Sequence, residues 1–114
     1  MNRYRIDNNR IILKNGSIAE FNFPIEKVVE LGNLVFVVLQ VLKTKYNENV
    51  FSLNENGQVL WQIEKSKTIN EISGECPYID IEIRNGKLTL FNFCGFRFIV
   101  DPQTGKIVDE TFTK

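Results

Sequence analysis

The chain of 114 residues contains no histidine. That absence removes a Ser-His-Asp triad, a Cys-His dyad and any imidazole metal ligand from what it can build. It has no charge of one sign to spare: 14 Lys and Arg balance 14 Asp and Glu. A neutral chain offers no electrostatic reason to expect nucleic acid or a membrane surface as partner. It has no long apolar run. Leu34 to Leu42, broken by Gln40, falls far short of the roughly 20 residues that span a bilayer. The basic N-terminus is followed by no apolar stretch of the kind found in a secretory signal. Two cysteines, Cys76 and Cys94, are too few for a secreted disulfide scaffold, and their spacing fits no zinc motif. They are expected to be unbridged thiols in a reduced, cytoplasmic setting. No cofactor and no metal is expected.

What is present reads as β structure throughout, within one domain. Short β-type runs recur between turn dipeptides. Asn15-Gly16, Asn56-Gly57 and Asn85-Gly86 each sit between apolar runs. Asn-Gly there is a strong hairpin signal, because both residues tolerate the positive φ of tight primed turns. Ile79, Ile81 and Ile83 alternate with Asp80, Glu82 and Arg84, which predicts a strand with one dry and one wet face. Leu88 and Leu90 alternate in the same manner, as do Phe96, Phe98 and Val100. Leu34 to Leu39 is apolar at every position and rich in valine, the pattern of a strand buried on both faces. Pro24 to Leu31 fits a short helix or a strand; the Gly32-Asn33 turn pair and the β neighbours favour the strand.

A unit of four strands occurs twice, over about residues 24–64 and 78–113, a period in the range of roughly 40–50 residues that marks propeller blades. Val50-Phe51-Ser52-Leu53-Asn54-Glu55-Asn56-Gly57-Gln58-Val59-Leu60-Trp61 resembles the strand-turn-strand signature of quinoprotein-type (PQQ-like) β-propeller repeats. Phe98-Ile99-Val100-Asp101-Pro102-Gln103-Thr104-Gly105-Lys106-Ile107-Val108 is similar, with Asp109 where that signature has Trp. The chain as a whole resembles small bacterial proteins of this repeat type. The resemblance implies blade-like sheets and no activity; no quinone-binding residue carries over. Closed propellers take about four to eight blades, and the repeat supplies two. The expected fold is therefore all-β and antiparallel. Two four-stranded units and an N-terminal hairpin, Arg10 to Phe23, pack as a sandwich or half-open barrel.

Function narrows by exclusion. The expected role is a non-enzymatic protein-binding module, of which an immunity or antitoxin-type inhibitor that plugs a toxin domain is a specific form. A small enzyme or ligand-binding domain using the carboxylates Asp80, Glu82 or Glu75 is the alternative, and a self-associating β subunit, including a homodimer, is another. Partner contacts are expected from Tyr78, Phe93, Phe96 and Arg97, because aromatics and arginine crowd one hairpin. If Phe91 and Phe93 point inward, Asn92 points outward. Glu71 and Glu75 join the candidates because they lie in the long connection from Lys65 to Pro77. Cys94 beside Gly95 reads as a small turn residue.

Overall fold

The computed structural model describes residues 4–41, 46–66 and 76–112. They form eleven strands in three antiparallel sheets, with no helix among the described residues. The first sheet holds β1 (Tyr4–Asp7), β2 (Arg10–Leu13) and β3 (Ile18–Glu20). The central sheet is a meander of β4 (Ile25–Leu31), β5 (Leu34–Leu39), β6 (Val50–Leu53) and β7 (Val59–Gln62). The third repeats it with β8 (Tyr78–Arg84), β9 (Lys87–Asn92), β10 (Phe96–Val100) and β11 (Ile107–Phe112). The two four-stranded sheets coincide with the two copies of the sequence unit.

Three differences from the sequence reading have physical causes. The N-terminal element is a three-stranded sheet rather than a hairpin. Asp7 pairs with Arg10 across a two-residue turn in which Asn8 takes φ 58°, one of the few non-glycine residues suited to it. In β8 the register slips between Tyr78 and Asp80. Ile79 is the extra residue of a bulge and stands 49% exposed, while Tyr78, expected as a partner contact, takes the core position expected of Ile79. The cysteines are not free: Cys76 and Cys94 form a disulfide with their Cα atoms 5.3 Å apart. The argument for a reduced compartment rested on unbridged thiols and falls with them. Pro24 to Leu31, by contrast, carries the strand that was favoured.

The sheets stack in chain order with the central one buried on both sides. Val35, Val37 and Leu39 of β5 face Ile11, Leu13, Ala19 and Phe21 of the first layer. Phe36 and Val38, the alternate residues, face Ile81, Leu88, Leu90 and Phe98 of the third. Strand β5 is apolar at every position because it serves two cores. Each large side chain fully buried there contributes about 1.5–3 kcal/mol. The layers are also tied by polar contacts. Asn49, fully buried just before β6, donates from Nδ2 to the carbonyls of Leu39 and Tyr78, each at 2.8 Å, and its Oδ1 accepts from the Tyr78 amide at 2.9 Å. Trp61 of β7 lies across the gap, donates from Nε1 to the Pro102 carbonyl at 2.9 Å, and covers Gly105 so closely that a Cβ there would meet its ring at 2.6 Å.

Candidate functional site: the aromatic tip of the third sheet

The β9–β10 turn is built around Asn92. Leu88 and Leu90 point into the core, so unbroken alternation brings Asn92 inward too, and it is 3% exposed. Of the two orientations the alternation allowed, this is the one with Phe91 and Phe93 on the outer side. From its buried position Asn92 Oδ1 accepts from the amides of Cys94, at 3.1 Å, and Phe96, at 2.8 Å. Gly95 completes the turn at φ 91°, and a Cβ there would stand 3.2 Å from the Phe112 ring.

Two further ties fix the tip to the start of β8. The Phe93 amide donates to the Pro77 carbonyl at 2.9 Å, and the Cys76–Cys94 disulfide closes the same junction. The result is an aromatic end that is exposed yet held. Phe93 is 72% exposed and Phe112 57%. Phe96 is half-buried, with its ring centroid 5.1 Å from that of Phe112 and 6.3 Å from that of Phe98. Tyr78 lies beneath, edge-on to Phe98 at 5.2 Å. Its burial, and then the charge of Glu110, push its phenol well above the usual tyrosine range.

Arg97 is half-buried on the outer face of the sheet, opposite Phe91 on one neighbouring strand and Thr111 on the other. The Arg84 guanidinium sits 4.9 Å from the centroid of the Phe91 ring and pairs with Glu82 at 2.7 Å. Asp80 pairs with Lys27 at 2.8 Å. Of the expected partner residues, then, Phe93, Phe96 and Arg97 come together at one end of the third sheet. Tyr78 is a core residue that supports them. Glu71 and Glu75 lie outside the described residues. Phe112 was missed: as the sixth residue of the last strand it has no sequence neighbour that marks it, and only its cross-strand pairing with Phe96 brings it to the tip.

Asp80 and Glu82 are committed to ion pairs on an open sheet face, which is not the geometry of an acid/base couple in a pocket. No group of three or more Cys, Asp or Glu side chains among the described residues is placed to hold a metal ion. A polar cleft of about 610 Å³ lies between the turns of the first and central sheets, lined by Lys14, Asn15, Glu30, Asn33, Glu55 and Asn56 over an apolar floor. The Asn15 carboxamide bridges it by donating to Asn56 Oδ1 at 3.0 Å.

Residues 1–112 match the model of a family described as a domain of unknown function, DUF7957. The chain belongs to that family. No curated protein sequence matches it. Among solved structures it is similar to BamB from Moraxella catarrhalis, a PQQ-like β-propeller protein, with a TM-score of 0.57 and 17% identity. That match covers 90% of this chain and 29% of the BamB chain, so this chain spans under a third of its relative's length. At that identity the likeness is one of fold, and it agrees with the blade-type repeat. A computationally designed protein, Ika8, aligns over 97% of this chain and 48% of its own, with a TM-score of 0.37 and 8% identity.

Proposed function

We propose that this DUF7957 member is a protein-binding module that engages its partner through the aromatic tip of the third sheet. The supporting observation is the exposure of Phe93 on a turn held by a disulfide, a buried asparagine and a backbone bond to Pro77, with the exposed Phe112 at the end of the neighbouring strand β11. Exposed aromatics are ordinary in isolation. Here Phe93 sits on a clamped turn, so a partner pays little ordering entropy when it covers that ring. Arg97 lies on the outer face of the same sheet, opposite Phe91, and makes no ion pair among the described residues, which adds the second residue type enriched at binding hot spots. The inhibitor form of this reading names a toxin domain as the partner; the neutral, His-free composition is what supports it.

The test is an affinity purification from the native host with wild-type protein and with Phe93→Asp. A stoichiometric partner recovered by the first and lost by the second is the expected outcome. If no stoichiometric partner is recovered, or if Phe93→Asp retains it, the tip is not the binding surface. Co-expression with a recovered partner then reads the inhibitor form directly, as rescue of growth.

A further inference from the structure

A second recess, smaller than the polar cleft, opens where the central and third sheets meet. It is lined by Glu48 ahead of β6, by Glu64 and Ser66 beyond β7, and by Tyr78 of β8. A third carboxylate reaches it from β11: Glu110 Oε1 accepts from the hydroxyl of the buried Ser66 at 2.9 Å. Glu64 is fixed as well, its Oε2 accepting from the Ile107 amide at 2.7 Å. None of the three carboxylates makes an ion pair among the described residues. Lys65, between Glu64 and Ser66 in the chain, does not line the recess. A chain that balances 14 charges of each sign thus leaves three negative charges together here.

Carboxylates gathered at a surface are ordinarily just hydrated. Tyr78 sets this group apart. It is 5% exposed and lines the recess, yet its hydroxyl makes no hydrogen bond among the described residues; only its backbone does. A buried hydroxyl without a partner is unfavourable and marks a position for a polar group of a ligand. Burial, and then the charges of Glu110, Glu48 and Glu64, keep the phenol protonated.

The free space is about 10 Å³, room for one water-sized group. A primary ammonium is that compact. It carries three donors and no acceptor, which suits carboxylates and a phenol oxygen together, whereas a planar guanidinium is too broad. The approach is apolar. Glu110 and Phe112 pair with Phe98 and Phe96, so they stand two residues apart on one face of β11. The Phe112 ring, 57% exposed, therefore flanks the recess and offers a surface for a methylene stem and its cationic head.

We propose that the partner protein docks a lysine side chain here, its stem along Phe112 and its ammonium among Glu48, Glu64 and Glu110 beside the Tyr78 hydroxyl. This rests on the protein-binding reading and names the partner's chemistry: an exposed lysine next to an apolar patch that covers the tip.

The experiment is heteronuclear NMR on the full chain, titrated with Nα-acetyl-lysine amide and with the uncharged Nα-acetyl-norleucine amide. The lysine amide should give saturable shifts at the Ser66, Tyr78 and Glu110 amides, and the norleucine amide none. The double variant Glu48→Gln with Glu110→Gln keeps hydrogen-bond acceptors and removes two charges; it should weaken lysine binding by at least about tenfold. Absence of a saturable shift up to the solubility limit of the lysine amide overturns the proposal. So do equal shifts with norleucine, equal or tighter binding of the arginine analogue, undiminished binding by the double variant, or the same shifts given preferentially by calcium chloride. Should the double variant lose its amide dispersion, Tyr78→Phe, which removes only the hydroxyl, is read in its place. The two readings fail separately: retention of a recovered partner by Phe93→Asp sinks the tip alone, and the lysine amide reads the recess alone.

Discussion

Gly105→Ala isolates the contact between the two repeats. The added Cβ would lie 2.6, 2.7 and 2.9 Å from three atoms of the Trp61 ring, at a residue with φ +80°. Two costs combine. The left-handed backbone penalises an L-residue by about 1–2 kcal/mol. The collision adds about 1–3 kcal/mol of overpacking, because Trp61 cannot easily withdraw. Its Nε1 is bonded to the Pro102 carbonyl, and its ring is packed 5.9 Å, centroid to centroid, from Phe36. Gly16→Ala is the matched control. It carries φ +90° and has nothing within 4 Å, so it bears the backbone cost alone. Urea unfolding followed by circular dichroism should therefore separate the variants by about 1–3 kcal/mol. With a urea dependence of about 1–3 kcal/mol per molar, Gly105→Ala should unfold roughly 1 M earlier than Gly16→Ala. In a Trp61→Leu background the excess should vanish. Equal destabilisation of the two variants, or an excess that survives removal of the indole, would refute the claim that ring contact rather than backbone strain holds this junction.

The Cys76–Cys94 bridge closes a loop of sequence separation 18, which in the chain-entropy account stabilises by about 3 kcal/mol; dithiothreitol should lower the urea midpoint accordingly, and oxidised protein should show no free thiol in denaturant. Asn49→Ala strips two buried carbonyls and one buried amide of their partner and should cost more than about 2 kcal/mol, well beyond a surface asparagine such as Asn33, by the same unfolding assay. Tyr78 is held neutral by burial and by the charge of Glu110, while the unfolded chain ionises near the ordinary value of 10.0. The folded state therefore binds the extra proton, so this stabilisation is intact below pH 10 and declines as pH rises beyond it. An absorbance titration of the phenols should show one tyrosine lagging the other two until the protein unfolds.

Legibility in the sequence followed how local each signal was. All three Asn-Gly pairs mark hairpins, but only at Asn85-Gly86 do both residues take the positive φ of a tight primed turn; at Asn15-Gly16 and Asn56-Gly57 the glycine alone does, in longer turns. The doubly buried β5 was readable because burial on two faces erases polar alternation over consecutive residues. Strand β1 was not, since Tyr4–Asp7 is mostly exposed and its turn uses Asn8-Asn9 without a glycine. At the candidate site the concentration of aromatics was plain, while their orientation needed the phase of β9 carried through from Leu88 and Leu90 to Asn92. The disulfide had a signal that spacing alone hides. Arg84 pairs with Lys87 across the Asn85-Gly86 turn. Cys76 lies eight residues before Arg84 and Cys94 seven after Lys87, so a strictly regular hairpin would leave them one residue out of step. The bulge at Ile79 absorbs that residue, and Tyr78 then stands opposite Asn92, with the two cysteines opposite each other just beyond. One extra residue in one strand thus decides three features together: it turns Ile79 out to solvent, brings Tyr78 into the core beneath the tip, and lets Cys76 meet Cys94 to clamp it.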